Sequence, residues 1–269
     1  MAASLEQIVA ATRRRVPEIR RVADLRELER RAQEHAPRGF RRNLEQVARS
    51  GVAIIAELKK ASPSRGVIRA DFDSAVLAKE LEKSGAAALS VLTDVEFFQG
   101  SLENLREASE ATQLPCLRKD FIVDEFQLLE ARANRADAVL LIVAALSRAE
   151  LVGLTMMSRE YELDVLCEAH DQEELQRAID AGGNLIGINS RNLRTFEVDL
   201  GTAFRLAEHL PKDVVGVAES GIQTGTEIGK LRAAGYQAFL IGESLMKAAA
   251  PGKALRELIA EAKTPVSSF

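Results

Sequence analysis

From about residue 50 onward the chain alternates short apolar runs with longer stretches in which apolar positions recur at helical spacing. The apolar runs fall at 52–56, 87–92, 115–117, 138–143, 163–167, 185–188, 214–218 and 238–241. They are near-continuous rather than alternating, the pattern of parallel strands covered on both faces. Helical spacing predicts helices at 74–84, 102–111, 125–133, 172–181, 202–210, 226–234 and 254–262. Gly85, Gly182 and Gly235 stand where helix C-terminal caps are expected, and Ser147 and Asp171 stand where N-caps are expected. Repeated strand–helix units define an α/β protein, and eight of them predict a closed (β/α)8 TIM barrel. An open doubly wound sheet is the alternative, but no first-strand G-x-G-x-x-G accompanies it. Residues 1–49, rich in Arg, Glu, Ala and Leu, precede the barrel at 50–269. They read as a helical extension broken near Pro17 and Pro37, either capping the barrel bottom or walling the active site. The whole chain, 1–269, is expected to be one domain.

Composition adds little to the fold and more to the choice of partners. Apolar residues make up 46% and aromatics only 4%, so branched aliphatics and Ala must fill the core. The net charge of -4 comes from interspersed charges, with no basic block, so no nucleic-acid partner is expected. No apolar run reaches the roughly 18 residues that span a bilayer, and the N-terminus lacks the apolar core of a secretory signal. The two cysteines, Cys116 and Cys167, form no C-x-x-C pair, which fits a reducing cytoplasm. A monomer or weak homo-oligomer is expected.

In a barrel of this kind, chemistry sits at the C-terminal strand ends. Those ends carry Glu57 and Lys59, Lys119, Glu168, and Asn189 and Arg191. Side chains two apart on a strand share a side, so Glu57 pairs with Lys59, Lys119 with Leu117, Glu168 with Leu166, and Asn189 with Arg191. If these sides face the axis, lysines and carboxylates share one pocket, suited to acid–base chemistry at a carbonyl. The last two strand ends, at 219–222 and 241–246, hold small residues that let backbone N–H groups approach an anion, with a short helix expected at 244–249. Barrels of this type often bind phosphate there. The polar loop 61–68 reads as a mobile active-site loop. His35 and His209 fall in surface-type helical segments, and His170, just past Glu168, is expected to be a capping or solvated residue.

Five segments carry a resemblance: IIAELKKASPSRG (54–66), LRKDFIVDEFQ (117–127), GINSRNL (187–193), VAESGI (217–222) and FLIGESLM (239–246). In order and spacing the chain resembles the indole-3-glycerol-phosphate synthase family of tryptophan biosynthesis. The resemblance implies a metal-free, cofactor-free ring closure, decarboxylation and dehydration of a phosphorylated small-molecule substrate. It implies Lys119 as general acid and Glu168 as general base. Lys59 would hold the carboxylate or phosphate end and share the acid role with Lys119, and Glu57 would orient the lysines and a substrate hydroxyl. Asn189 and Arg191 would fix Glu168 and the anthranilate carboxylate. Ser220 would contact substrate near the phosphate, cradled by Ser62, Gly221, Gly242 and the Glu243 backbone N–H. The extension would pack over the active-site end. A phosphoribosylanthranilate isomerase-like barrel, which uses a Cys after its first strand, is the rival enzyme. A non-catalytic phosphate-metabolite-binding barrel is the rival of another class.

Overall fold

The computed structural model describes residues 3–192 and 195–263, so the last residue of the GINSRNL segment lies outside the described residues. Among the described residues, eight parallel strands close into a barrel in chain order. They are β1 (Ala53–Leu58), β2 (Ala88–Leu92), β3 (Cys116–Lys119), β4 (Ala138–Ile142), β5 (Asp164–Ala169), β6 (Leu185–Asn189), β7 (Val215–Glu219) and β8 (Ala238–Ile241). β8 closes onto β1 with Ala53 opposite Ala238 and Ala56 opposite Ile241. Several strands run past the apolar runs that announce them, taking in Glu57, Lys119, Glu168, Asn189 and Glu219. The backbone ladder does not depend on side-chain polarity, and inward positions at this end open into a cavity rather than into core.

Strand alternation divides the apolar residues into two cores. Ile55, Leu117, Leu140, Leu166, Leu185, Val217 and Leu240 fill the barrel interior. Their neighbours Ile54, Cys116, Val139, Leu141, Cys167, Ile186, Ala218 and Phe239 pack outward against the helices. The helices start and stop on local signals. Ser147 and Glu150 form a reciprocal capping box at helix Arg148–Glu160, and Asp171 accepts from the Glu174 N–H at helix Gln172–Asp180. The 61–68 connection, expected to be an open flexible loop, forms a small hairpin pairing Ala61–Ser62 with Gly66–Val67. The N–H groups of Ile68 and Arg69 both donate to the Lys60 carbonyl at its base.

The N-terminal extension reaches both ends of the barrel, capping the bottom and lying over the mouth. Its first helix, α1 (Leu5–Val22), lies across the mouth, held by Arg13 to Glu150 at 2.7 Å, Arg15 to Asp94 at 3.2 Å and Arg20 to Asp124 at 3.6 Å. Those acids follow β4, β2 and β3 respectively. The expected break at Pro17 does not occur. Pro17 is exposed, so the carbonyl that loses its N–H partner there is open to water, and the helix runs on to Val22. The break comes instead at Asp24, which caps α2 (Leu25–Glu34). The chain then turns under the barrel, as Pro37 suggested. His35, expected at the surface, is buried there, its Nε2 3.0 Å from Asp137 Oδ1. The Arg38 and Cys116 N–H groups donate to the same carboxylate at 2.6 and 2.7 Å. Helix α3 (Phe40–Ser50) then presents Phe40 and Leu44, both fully buried, to the interior core as a plug.

Phe40→Ala removes the largest plug side chain where strands on all sides prevent collapse. It is expected to cost about 3–5 kcal/mol, measured by denaturant unfolding. A loss below about 1 kcal/mol would mean the plug is dispensable.

Candidate active site

A cavity of about 1010 Å³ opens at the C-terminal ends of the strands. Every site residue predicted from sequence lines it: Glu57, Lys59, Ser62, Lys119, Glu168, Asn189, Arg191, Ser220, Gly221, Gly242 and Glu243. The same cavity has an apolar wall from four elements. Leu5 and Ile8 come from α1, Phe98 from a short helix after β2, and Phe121 and Ile142 from the ends of β3 and β4.

The floor is built around Lys119. Its Nζ lies 2.8 Å from Glu168 Oε2 and 3.5 Å from Glu219 Oε2. A second pair stands beside it, Lys59 Nζ 2.5 Å from Glu57 Oε1. These groups fit because two inward positions have no side chain. A Cβ on Gly187 would lie 1.9 Å from Glu219 Oε1, and one on Gly242 would lie 2.5 Å from Glu57 Oε1. Burial alone would discharge Lys119, yet Glu168, Glu219 and Glu57 together outweigh it and raise its pKa above the ordinary lysine value. Burial likewise opposes the charge on Glu168, but Lys119, then His170 and the Asn189 side chain, hold it below the usual carboxylate range. Glu219 goes the other way. Burial raises it most; Lys119 pulls it down, but the nearby Glu168 and Glu57 add to the rise and leave it well above the usual range. Two carboxylates sharing one ammonium are thereby pushed apart in acidity, as required of a site that needs a base and a proton holder together.

Glu219 is absent from the sequence-derived set, which took Ser220 from that strand end. The signal was present: Glu219 is two residues past Val217 and so shares its inward side, by the alternation that selects Glu168 from Leu166. In the structure it stands opposite Asn189 in the β6–β7 register.

At the other side of the cavity, Ser220 and Gly221 both have left-handed backbone, φ 64° and 81°. β8 passes through Gly242 into a short helix, Glu243–Lys247, one residue earlier and two shorter at its end than the expected 244–249. The Glu243 carboxylate is drawn to cations: Lys247 Nζ at 2.5 Å, Arg65 Nε at 3.4 Å and Arg191 Nη2 at 3.4 Å. Arg191 therefore reaches toward the β8 end, and its own backbone N–H donates to Asn189 Oδ1 at 3.0 Å. Asn189, not Arg191, is the neighbour that supports Glu168.

A closed parallel barrel with paired lysines and carboxylates at its mouth and small-residue turns after its last two strands is the frame of an acid–base enzyme for an anionic substrate. The family model described as indole-3-glycerol phosphate synthase matches residues 5–258, and the chain belongs to that family. An indole-3-glycerol phosphate synthase of Koribacter versatilis (strain Ellin345) is 58% identical over 259 residues, 96% of this chain and 100% of the relative. One of Chlorobium chlorochromatii (strain CaD3) is 49% identical over 214 residues, 80% of this chain and 83% of the relative. Among solved structures, a thiamine phosphate pyrophosphorylase from Pyrococcus furiosus superposes with a TM-score of 0.59 at 16% identity, covering 79% of this chain and 95% of that one. At that identity the likeness shows the barrel fold alone.

The raised Glu219 gives a pH-dependent expectation. A carboxyl that binds its proton more tightly when folded stabilises the fold below the ordinary carboxylate range, and this is lost as pH rises through the folded value. Glu219→Gln cannot ionise, so its Tm relative to the unsubstituted protein is expected to climb between mildly acidic and mildly alkaline pH. Calorimetry across that range checks it; a Tm difference independent of pH refutes it.

Proposed function

We propose that the protein is an indole-3-glycerol-phosphate synthase, a carboxy-lyase of tryptophan biosynthesis. It converts 1-(2-carboxyphenylamino)-1-deoxyribulose 5-phosphate to indole-3-glycerol phosphate, CO₂ and water. Beyond family membership, the observation that carries this reading is the Lys119–Glu168 pair, 2.8 Å apart and buried between an apolar wall and the turns of β7 and β8.

In this reading the aromatic ring lies on the apolar side, against Phe98 and Phe121. The phosphate meets Ser62 and the backbone N–H groups of Gly221, Gly242 and Glu243. The Glu243 carboxylate does not repel it, because Lys247, Arg65 and Arg191 already engage that side chain. Lys119 is the general acid toward the substrate carbonyl and its departing hydroxyl, and Glu168 is the general base of the dehydration. Glu168 returns its one proton to Lys119 across their shared contact, and solvent supplies the second that Lys119 gives, since loss of the substrate carboxylate as neutral CO₂ consumes one proton per turnover. Lys59, held by Glu57, faces the substrate carboxylate or phosphate. Asn189 keeps Glu168 in place, Arg191 serves the substrate carboxylate, and Ser220 contacts substrate beside the phosphate.

A phosphoribosylanthranilate isomerase reading is disfavoured, since the end of β1 supplies Glu57 and Lys59 and no cysteine. A sensor barrel would not need the intact acid–base set. Both cysteines are free and buried, which fits work in the cytoplasm.

Purified protein given the deoxyribulose phosphate is expected to generate indole fluorescence without added metal and in the presence of chelator. Absence of product, or a strict metal requirement, would refute the assignment. Lys119→Ala and Glu168→Gln are each expected to lower kcat on the order of 10²–10⁴-fold, the usual size for acid–base groups. Turnover near normal in either variant removes that residue from the mechanism.

A further inference from the structure

Glu168 has a neighbour on its far side that the mechanism above leaves unused. His170 does not line the cavity. It sits just beyond the end of β5, where the chain turns into helix Gln172–Asp180. That helix start fixes Glu174, whose N–H donates to the Asp171 cap at 2.9 Å. The Glu174 carboxylate reaches back, its Oε2 accepting the His170 backbone N–H at 2.8 Å and standing 2.9 Å from the ring Nδ1. A carboxylate only accepts, so Nδ1 carries a proton. The ring is thereby locked with Nε2 aimed at Glu168 Oε1, 3.4 Å away. Nε2 is sealed from water and makes no hydrogen bond. A bare lone pair there would face a carboxylate oxygen with no compensating partner, whereas an N–H would face it favourably.

We propose that His170 is a positioning residue for Glu168: braced by Glu174, its imidazolium keeps the buried carboxylate ionised and oriented between substrate cycles. This rests on Glu168 being the base. The surroundings favour the charged ring. Burial works against the imidazolium, but Glu174, then Glu168, with Glu219 adding to them, hold His170 above the ordinary histidine value. Glu174 faces it from its helix, Glu168 from β5 and Glu219 from β7, while Lys119 on β3 meets the other oxygen of Glu168, Oε2. Lys119 is the group that gives and regains a proton on the substrate side, so its charge at Glu168 changes during turnover. His170 supplies a second positive charge that does not take part in that exchange.

The test is the pH dependence of kcat and KM for His170→Gln and His170→Asn. With an opposing charge removed from within a few ångströms, the acidic limb of kcat is expected to move up by about one pH unit. At pH values on that limb kcat falls about tenfold. KM is expected to hold within about twofold, since the ring does not line the cavity. Glu174→Gln should shift the limb in the same direction. An unmoved limb, or a pH-independent loss with raised KM, overturns the proposal. A second measurement needs neither activity nor a substituted histidine. NMR titration of His170 should give a value about one unit lower in Glu168→Gln than in the unsubstituted protein; an unchanged titration overturns the pairing. Failure of the indole assay would sink the functional reading and leave this titration to decide the coupling.

Discussion

A closed parallel barrel leaves each strand two directions only, toward the axis or toward the helices. Every residue must satisfy one of them. In the lower layers the inward positions carry Ile55, Leu117, Leu140 and Leu166, and the outward ones pack under helices. At the upper ends the same inward positions carry Glu57, Lys119, Glu168 and Glu219. Core and site are thus one periodic pattern whose chemistry changes with height. The backbone that aligns the aliphatic layers also aligns the ionic one, and this precision is what acid–base work requires.

The ionic layer is held together by a shortage of cations. Lys119 serves Glu168 directly and Glu219 at longer range, while Lys59 serves Glu57. Buried ion pairs of this kind are not a strong source of stability, because desolvation offsets much of their attraction. The aliphatic core and the α3 plug supply the stability that lets such a cluster persist. The outcome is chemical: one carboxylate is kept ionised and its neighbour is kept reluctant to ionise.

Most of the fold is legible in the sequence, since eight apolar runs and their caps mark eight strand–helix units. The strand ends are legible in phase but not in extent. An apolar-run reading stops at the first charge, as at Glu57 and Lys119, although the ladder continues through it. Glu57, Lys59, Lys119, Glu168, Asn189 and Arg191 follow from counting by twos, and the same count reaches Glu219 if applied to Val217. The phosphate-end residues come from turn composition and family resemblance. Contacts between distant segments are illegible in a local pattern. Nothing around His35 or Asp137 announces that they meet across 102 positions. Nor does a proline inside α1 reveal that it faces water.

The first fifty residues leave the ribosome before any strand exists. Phe40 and Leu44 are made early, but their seat is built from strands that include Val215 and Ala238, near the far end of the chain. α3 packs most against β1 and β2, which follow it directly in the chain, but the interior ring around Phe40 and Leu44 is complete only when β8 closes against β1. Contacts of such sequence separation form late and slowly. The segment that walls the cavity and plugs the opposite end of the barrel is made first, and its seat is completed last. Complete assembly of the barrel mouth is thus tied to arrival of the final strand.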